Sequence, residues 1–168
     1  MGFERIKNAV KKPLKHIRVA QHTGCHILRP AKYIGRDDPE NPTILKDLIK
    51  LTGVECLNYI GETECCGNPI IGVNEEISFQ LAREKLSSIK AVGAQALITV
   101  CPFCHIMYDA NQSRIERAFN EKFSIPVLHY SQLLGLAMGF TQEELGFNEL
   151  RVRPAILSNL KEEIIEHD

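Results

Sequence analysis

Very little net charge separates the 20 basic from the 21 acidic side chains of this 168-residue chain, which leaves −1 overall. So small a balance excludes the broad electropositive surface that holds nucleic acid, and no acidic tail offers itself to a basic partner. No stretch approaches the ~20 apolar residues needed to span a bilayer, so no transmembrane segment is expected. The N-terminus lacks the apolar core of a secretory leader, which points to the cytoplasm. Reducing conditions there exclude a disulfide framework for the 6 cysteines and favour metal or redox chemistry instead. Internal repeats and low-complexity tracts are absent too. The chain that remains is 44% hydrophobic and 24% charged, an ordinary globular balance, and is long enough to bury one core without covalent staples.

Strand and helix patterns alternate. Residues 1–15 read as a frayed amphipathic helix forming an N-terminal arm, and Lys7, Lys11, Lys12, Lys15 and Arg18 make its end basic. Those cations suit a solvated arm or a docking surface for an acidic partner. His16–His22 alternates as a strand and ends at Thr23-Gly24-Cys25, which puts Cys25 on a strand-end loop. Asn41 and Pro42 suit the cap and first position of a helix, with Ile44, Leu45, Leu48, Ile49 and Leu51 on its buried side and Gly53 at its end. Glu55–Ile60 reads as a second strand that leads to Cys65-Cys66-Gly67. A long helix is expected from Asn74 to about Val92, burying Ile77, Leu81 and Ile89. Ala96–Val100 is a continuous apolar run, as in a parallel strand covered on both faces. A helix from Pro102 to about Phe123, a strand over Pro126–Tyr130, a helix capped by Ser131, and helices near 141–145 and 155–166 complete the chain. This alternation predicts a three-layer α/β sandwich with a mostly parallel sheet of about four strands, built from Rossmann-like βαβ units. The expected organisation is an arm at 1–15, a domain at 16–150 and a helical tail at 151–168.

In such sheets the functional crevice lies beyond the carboxyl ends of the strands. Cys25, Cys65-Cys66 and Cys101 each follow a predicted strand, so all three groups should converge on one edge. Cys101-Pro-Phe-Cys104 places two thiols one turn apart at a helix start, where the dipole favours thiolate and bound anions. Taken alone, that element suits a dithiol oxidoreductase. A dithiol leaves Cys25, Cys65 and Cys66 unexplained. Five thiolates also exceed the four that a tetrahedral zinc accepts, whereas iron–sulfur centres are held mainly by cysteine. An iron–sulfur centre is therefore favoured over structural zinc and over a metal-free thiol site, with all three open. Cys56, inside a strand, reads as a small buried hydrophobe.

The order Cys25, Cys65-Cys66-Gly67, Cys101-Pro102-Phe103-Cys104 resembles the cysteine-rich CCG domain, found in the B subunit of heterodisulfide reductases and in related subunits of fumarate reductases and other dehydrogenases. Gly24–Pro30, Asp37–Pro42, Val100–His105 and Pro126–Gly139 resemble the C-terminal half of that B subunit. The resemblance implies a noncubane [4Fe-4S] cluster bound by Cys25, Cys65, Cys66, Cys101 and Cys104, with zinc possible in aerobically prepared protein. It implies an enzyme that reduces the mixed disulfide of coenzyme M and coenzyme B in one-electron steps, the substrate lying between two such clusters. Full-length relatives carry two CCG domains, so a split subunit is expected, with a partner chain supplying the N-terminal half. A ferredoxin-type iron–sulfur subunit and a flavin subunit would complete the complex. The alternatives are a non-catalytic electron relay or zinc-anchored subunit of another oxidoreductase complex.

Other residues have roles on this reading. Gly24 and Gly67 let the backbone approach the centre or take positive φ. His26 and His105 each follow a ligand cysteine and are candidate proton donors, since imidazole titrates near working pH. Arg29 suits a sulfonate or phosphate through its fork of donors, or a salt bridge at the surface, and His129 suits a core or capping role or a place facing the same crevice. Phe103 and Met107 read as packing.

Overall fold

The computed structural model describes residues 2–153. Four parallel strands form one sheet: β1 (Arg18–His22), β2 (Glu55–Leu57), β3 (Ala96–Thr99) and β4 (Val127–His129), in the order β2-β1-β3-β4. Val19 lies between Cys56 and Ala96, and Thr99 lies between His22 and His129. From β1 the chain moves outward to β2, then returns past β1 to β3. The winding therefore reverses between β1 and β3, the switch point where a crevice opens in doubly wound sheets.

The helices are α1 (Phe3–Ala9), α2 (Cys25–Leu28), α3 (Ala31–Ile34), α4 (Ile44–Lys50), α5 (Glu75–Ala91), α6 (Pro102–Tyr108), α7 (Gln112–Phe119) and α8 (Tyr130–Met138). Side chains alternate across the sheet. Val19, Ile98 and Leu128 pack on one face with Leu45 and Ile49 of α4 and Leu133 and Ala137 of α8. Ala20, Leu97 and Val127 pack on the other with Phe79, Leu86 and Ile89 of α5, Met107 of α6 and Ile115 of α7. This is the expected three-layer sandwich. Both sheet faces are covered, which is why the central strand β3 reads as an unbroken apolar run. Each fully buried aliphatic contributes on the order of 1.5–3 kcal/mol.

Several boundaries differ from the sequence reading, for local reasons. Cys25 opens α2 instead of lying in a loop, after Gly24 at φ +88°. Helix α4 starts later than Asn41: the Asp37 carboxylate accepts the Thr43 and Ile44 N–H groups at 3.0 and 2.9 Å, doing a cap's work from a distance. Asn74 does cap α5, accepting from the Ile77 N–H at 3.0 Å. The buried face of α5 is Ser78, Phe79, Ala82, Lys85, Leu86 and Ile89, while Ile77 is exposed. The expected helix 102–123 breaks in two. Asp109 turns its carboxylate to the Arg151 and Val152 N–H groups, and buried Gln112 bonds the Tyr108 and Ile125 carbonyls and the Ile125 N–H across the break. His129, not Ser131, caps α8. Residues 141–145 form turns, with a short 3-10 turn at Phe147–Glu149 behind them. The helix expected at 155–166 lies outside the described residues. Helix α1 buries no side chain, whereas the Lys11 and Lys12 N–H groups donate to the Ala137 carbonyl at 2.9 and 2.8 Å and Leu14 is buried.

Candidate metal centre

The C-terminal ends of β1, β2 and β3 deliver the cysteines. Strand β1 runs into Thr23-Gly24-Cys25, and β3 runs through Val100 into Cys101, which stands just ahead of Pro102 at the first position of α6. Gly24 makes that meeting possible: a Cβ there would lie 3.1 Å from the Cys101 Cβ and 3.8 Å from the Cys104 Sγ. The loop after β2 carries Cys65, Cys66 and Gly67. Gly67 takes φ +83°, and a Cβ on it would collide with the Ser78 carbonyl oxygen. The Ser78 hydroxyl donates to the Gly67 carbonyl at 2.9 Å, and the Gly67 N–H points at the Cys65 Sγ at 3.4 Å. The loop is thereby pinned to the first turn of α5.

The thiols form one connected set. Cys104 and Cys66 share a hydrogen bond, Cys104 lies beside Cys101, and Cys25 lies beside Cys65 and Cys66. Cys66 and Cys104 are buried, and the other three are half-buried. The Cys104 thiol stabilises the Cys66 thiolate, lowering its pKa against the opposing effect of burial. The same bond, followed by burial, pushes the Cys104 thiol up. Burial, then the charge of Cys65, raises Cys25. Cys56 lies apart, in β2 against the α4 side of the core, and burial pushes its thiol up to about 11.

Sequence reasoning missed two groups behind the thiols. His22, the last residue of β1, is buried with a ring nitrogen, the Cys66 Sγ and the Cys104 Sγ all within 4.8 Å of one another. Its Nδ1 lies 3.2 Å from the Lys85 Nζ, and its Nε2 is buried with no hydrogen-bond partner among the described residues. Lys85 also donates to the Glu62 and Glu64 carbonyls at 3.1 and 2.8 Å. Burial brings Lys85 down to about 8, although Glu64 and the thiolates pull it back up. A lone lysine on the apolar stripe Phe79, Ala82, Leu86, Ile89 was the available signal.

The other sequence-derived candidates are spread around this set. His26 is exposed beside Cys25. His105 is half-buried with its Nδ1 unpartnered. Burial lowers its pKa, and its charged neighbours are Asp109 and His129. The His129 ring accepts from the Ser131 N–H as the α8 cap. Arg29 is exposed and engaged with the Pro39 carbonyl and with Glu40 at 2.9 Å. Met107 is fully buried and Phe103 exposed.

Whether an iron–sulfur group fits can be judged from the donors. Five soft thiols drawn from the segments that follow three strands suit a polynuclear centre better than a single tetrahedral ion. Gly24 and Gly67 leave backbone beside them without side chains, and the orphaned His22 Nε2 awaits an acceptor. The donor set fits.

A doubly wound α/β domain that gathers thiols over its switch point defines the class. Within it, the model of the cysteine-rich domain, CCG, matches residues 19–109, and the chain belongs to that family. It is 36% identical over 151 residues to the B subunit of the ferredoxin/F(420)H(2)-dependent CoB-CoM heterodisulfide reductase of Methanosarcina acetivorans, covering 89% of this chain and 50% of that one. It is 34% identical over 147 residues to the 8-methylmenaquinol:fumarate reductase membrane anchor subunit of Wolinella succinogenes, covering 88% and 52%. The chain thus spans about half the length of these curated relatives. A hypothetical protein from Helicobacter pylori shares the fold with a TM-score of 0.67 at 13% identity, covering 90% of this chain and 28% of that structure. No helix among the described residues is long and apolar enough to cross a membrane.

Proposed function

We propose that this chain is an iron–sulfur subunit of a CoB-CoM heterodisulfide reductase-type complex, with Cys25, Cys65, Cys66, Cys101 and Cys104 holding a noncubane [4Fe-4S] cluster. The observation that carries this reading is the gathering of three cysteine-bearing segments beyond the C-terminal ends of β1, β2 and β3, beside the switch point between β1 and β3. When bound, such a cluster supplies electrons one at a time and an iron with affinity for sulfur. The protein contributes everything around it. The three strand ends fix the thiols, Gly24 and Gly67 admit the centre, and the apolar packing of α5 and α6 keeps water from Cys66 and Cys104. His26, exposed next to Cys25, is placed to protonate a thiolate product, and His105 is the second candidate donor. Arg29 would exchange Glu40 for an anionic coenzyme group, with His129 beside α8 lining the approach. The substrate on this reading is the coenzyme M–coenzyme B disulfide. A separate chain supplies the N-terminal CCG half, and ferredoxin-type and flavin subunits feed electrons.

A second reading is an electron-relay subunit of another oxidoreductase complex, with iron–sulfur or zinc in the same thiols. It is favoured by the 34% identity to a fumarate reductase subunit. Iron and sulfide counts on anaerobically purified protein, co-expressed with its neighbours, test both. About four irons per chain, lost in Cys101→Ser, are expected, and activity on the mixed disulfide separates catalysis from relay. Unchanged iron in Cys101→Ser would show the ligand set to be wrong, and one zinc would leave only the anchoring role.

A further inference from the structure

Lys85 sits midway along α5 on the side that packs against the sheet, with only 3% of its surface exposed. An ammonium has three protons and no acceptor. Here it has three acceptors to match: the Glu62 and Glu64 carbonyls and the His22 Nδ1. Because lysine can only donate, Nδ1 must be the acceptor, and a neutral imidazole that accepts at Nδ1 carries its proton on Nε2. The opposite tautomer would aim an Nδ1–H at the Glu62 carbonyl, 3.4 Å away, and so towards the ammonium already bonded to that same carbonyl. Charge repulsion disfavours it. The protonated Nε2 is then buried with no nitrogen or oxygen partner among the described residues, on a ring that Tyr108 meets edge-on at 5.6 Å and whose neighbours are the Cys66 and Cys104 sulfurs.

We infer that Lys85 and His22 form a fixed relay whose far end, the His22 Nε2–H, donates to cysteine sulfur at the metal centre, so that His22 is a hydrogen-bond donor to that centre and not one of its ligands. The inference deepens the iron–sulfur reading and rests on it. An N–H···S bond and a buried cation behind it both stabilise the more negative, reduced state of an iron–sulfur centre, so together they raise its reduction potential. Lys85 is a positioning residue: it acts through His22 and also ties down the loop carbonyls that precede Cys65 and Cys66. The lysine thus couples the geometry of the CCG loop to the potential of the group that the loop holds.

The test uses the anaerobically iron-loaded full chain and reads the iron content, the midpoint potential by poised EPR titration, and the histidine nitrogen coupling by pulsed EPR. The unaltered protein should show only the weak nitrogen coupling of a hydrogen-bonded imidazole. His22→Leu and Lys85→Met should keep their iron and lower the potential. The expected change is at least tenfold in the reduction equilibrium, which is about 59 mV for a one-electron couple. The double variant should shift further than either single change but by less than their sum, because part of the effect of Lys85 passes through His22. His22→Gln, which retains an N–H donor, should recover part of the shift. If Lys85→Met does not fold, the two His22 variants decide alone. Strong coupling from directly bound nitrogen, loss of iron in His22→Gln, or unmoved potentials would overturn the relay while leaving the iron–sulfur reading intact. An unaltered chain that binds no iron would overturn both.

Discussion

The helices on the two sides of the sheet bury different chemistry. On the α4/α8 side the fully buried core is aliphatic and phenyl, from Leu45 and Ile49 through Ile98 and Leu128 to Phe147, with Cys56 and Tyr130 half-buried against it, the Lys46–Glu62 ion pair near its edge, and the Thr52 hydroxyl closing the turn onto the Ile49 carbonyl. On the α5/α6/α7 side the helices and their ends bury Ser78, Lys85, Asp109 and Gln112, together with the Cys66 and Cys104 thiols and the Tyr108 hydroxyl. Buried polar groups are costly unless they are bonded. Most of these are, but among the described residues the Tyr108 hydroxyl, the His22 Nε2, the His105 Nδ1 and the Thr99 hydroxyl are left without a partner. One side therefore stabilises the sheet, and the other gives up some of that stability to hold a reactive set of thiols in place. Substitutions on the two sides should separate accordingly.

The sharpest break is expected at Gly67. In Gly67→Ala the positive φ costs about 1–3 kcal/mol, and the new Cβ would run into the Ser78 carbonyl oxygen, so the CCG loop must move. Iron binding should be lost along with several kcal/mol of stability. Chemical denaturation and iron analysis on one preparation check this, and full retention of iron would mean that the loop is free to shift. On the opposite face, Ile98→Ala should cost about 2–5 kcal/mol through a cavity beneath α4 and α8. Iron per folded chain should not change. If Ile98→Ala lost iron as completely as Gly67→Ala, the division between the faces would be false.

How far this was legible from sequence follows the same line. Period-two and continuous apolar runs located all four strands, and the three strand-end cysteine groups implied their meeting point. The helix starts were harder to read, because the cap came from elsewhere in the chain: Asp37 serves α4 across six residues, and Asp109 leaves its helix to bind the Arg151 and Val152 N–H groups. The α5 face was misread because Ile77 and Leu81 suggested a stripe, whereas the buried face is rotated to admit Lys85. His22 and Lys85 are 63 residues apart, and no local pattern announces a pair at that separation. For His129 the sequence offered a capping role beside the crevice, and the ring does cap α8.

Lys85 allows the polar side to be probed without any metal. Its pKa falls from 10.5 to about 8 on folding, so between those values the unfolded chain binds more protons than the native one. Stability should therefore rise with pH across roughly 8 to 10.5 and level off below about 8, where the amine is charged in both states. The effect is at most roughly 3.5 kcal/mol, taking about 1.4 kcal/mol per pH unit. Denaturation of the metal-free protein at a series of pH values should show this rise in the unaltered chain and a flatter profile in Lys85→Met. Equal slopes in the two would mean that water reaches the amine, and the α5 side would then be less tightly closed than its packing indicates.

The smallest effect is expected at the rim, outside both faces. Arg29 bonds the Pro39 carbonyl and Glu40, but its side chain remains 42% exposed and that of Glu40 78%. Exposed pairs of this kind contribute about 0–1 kcal/mol, so Arg29→Ala should barely move the denaturation midpoint. That insensitivity makes it a clean probe of the proposed anion contact, since any functional loss would not be a loss of fold. In the assembled complex, Arg29→Ala should raise KM for a disulfide bearing sulfonate or phosphate and leave kcat nearly unchanged, the pattern of an interaction made equally in ground and transition states. Arg29→Lys should recover only part of the loss, because an ammonium lacks the planar fork that grips such an anion. If KM is unmoved while stability drops by more than about 1 kcal/mol, Arg29 belongs to the loop that it bridges, and the approach to the thiols must be lined by other residues.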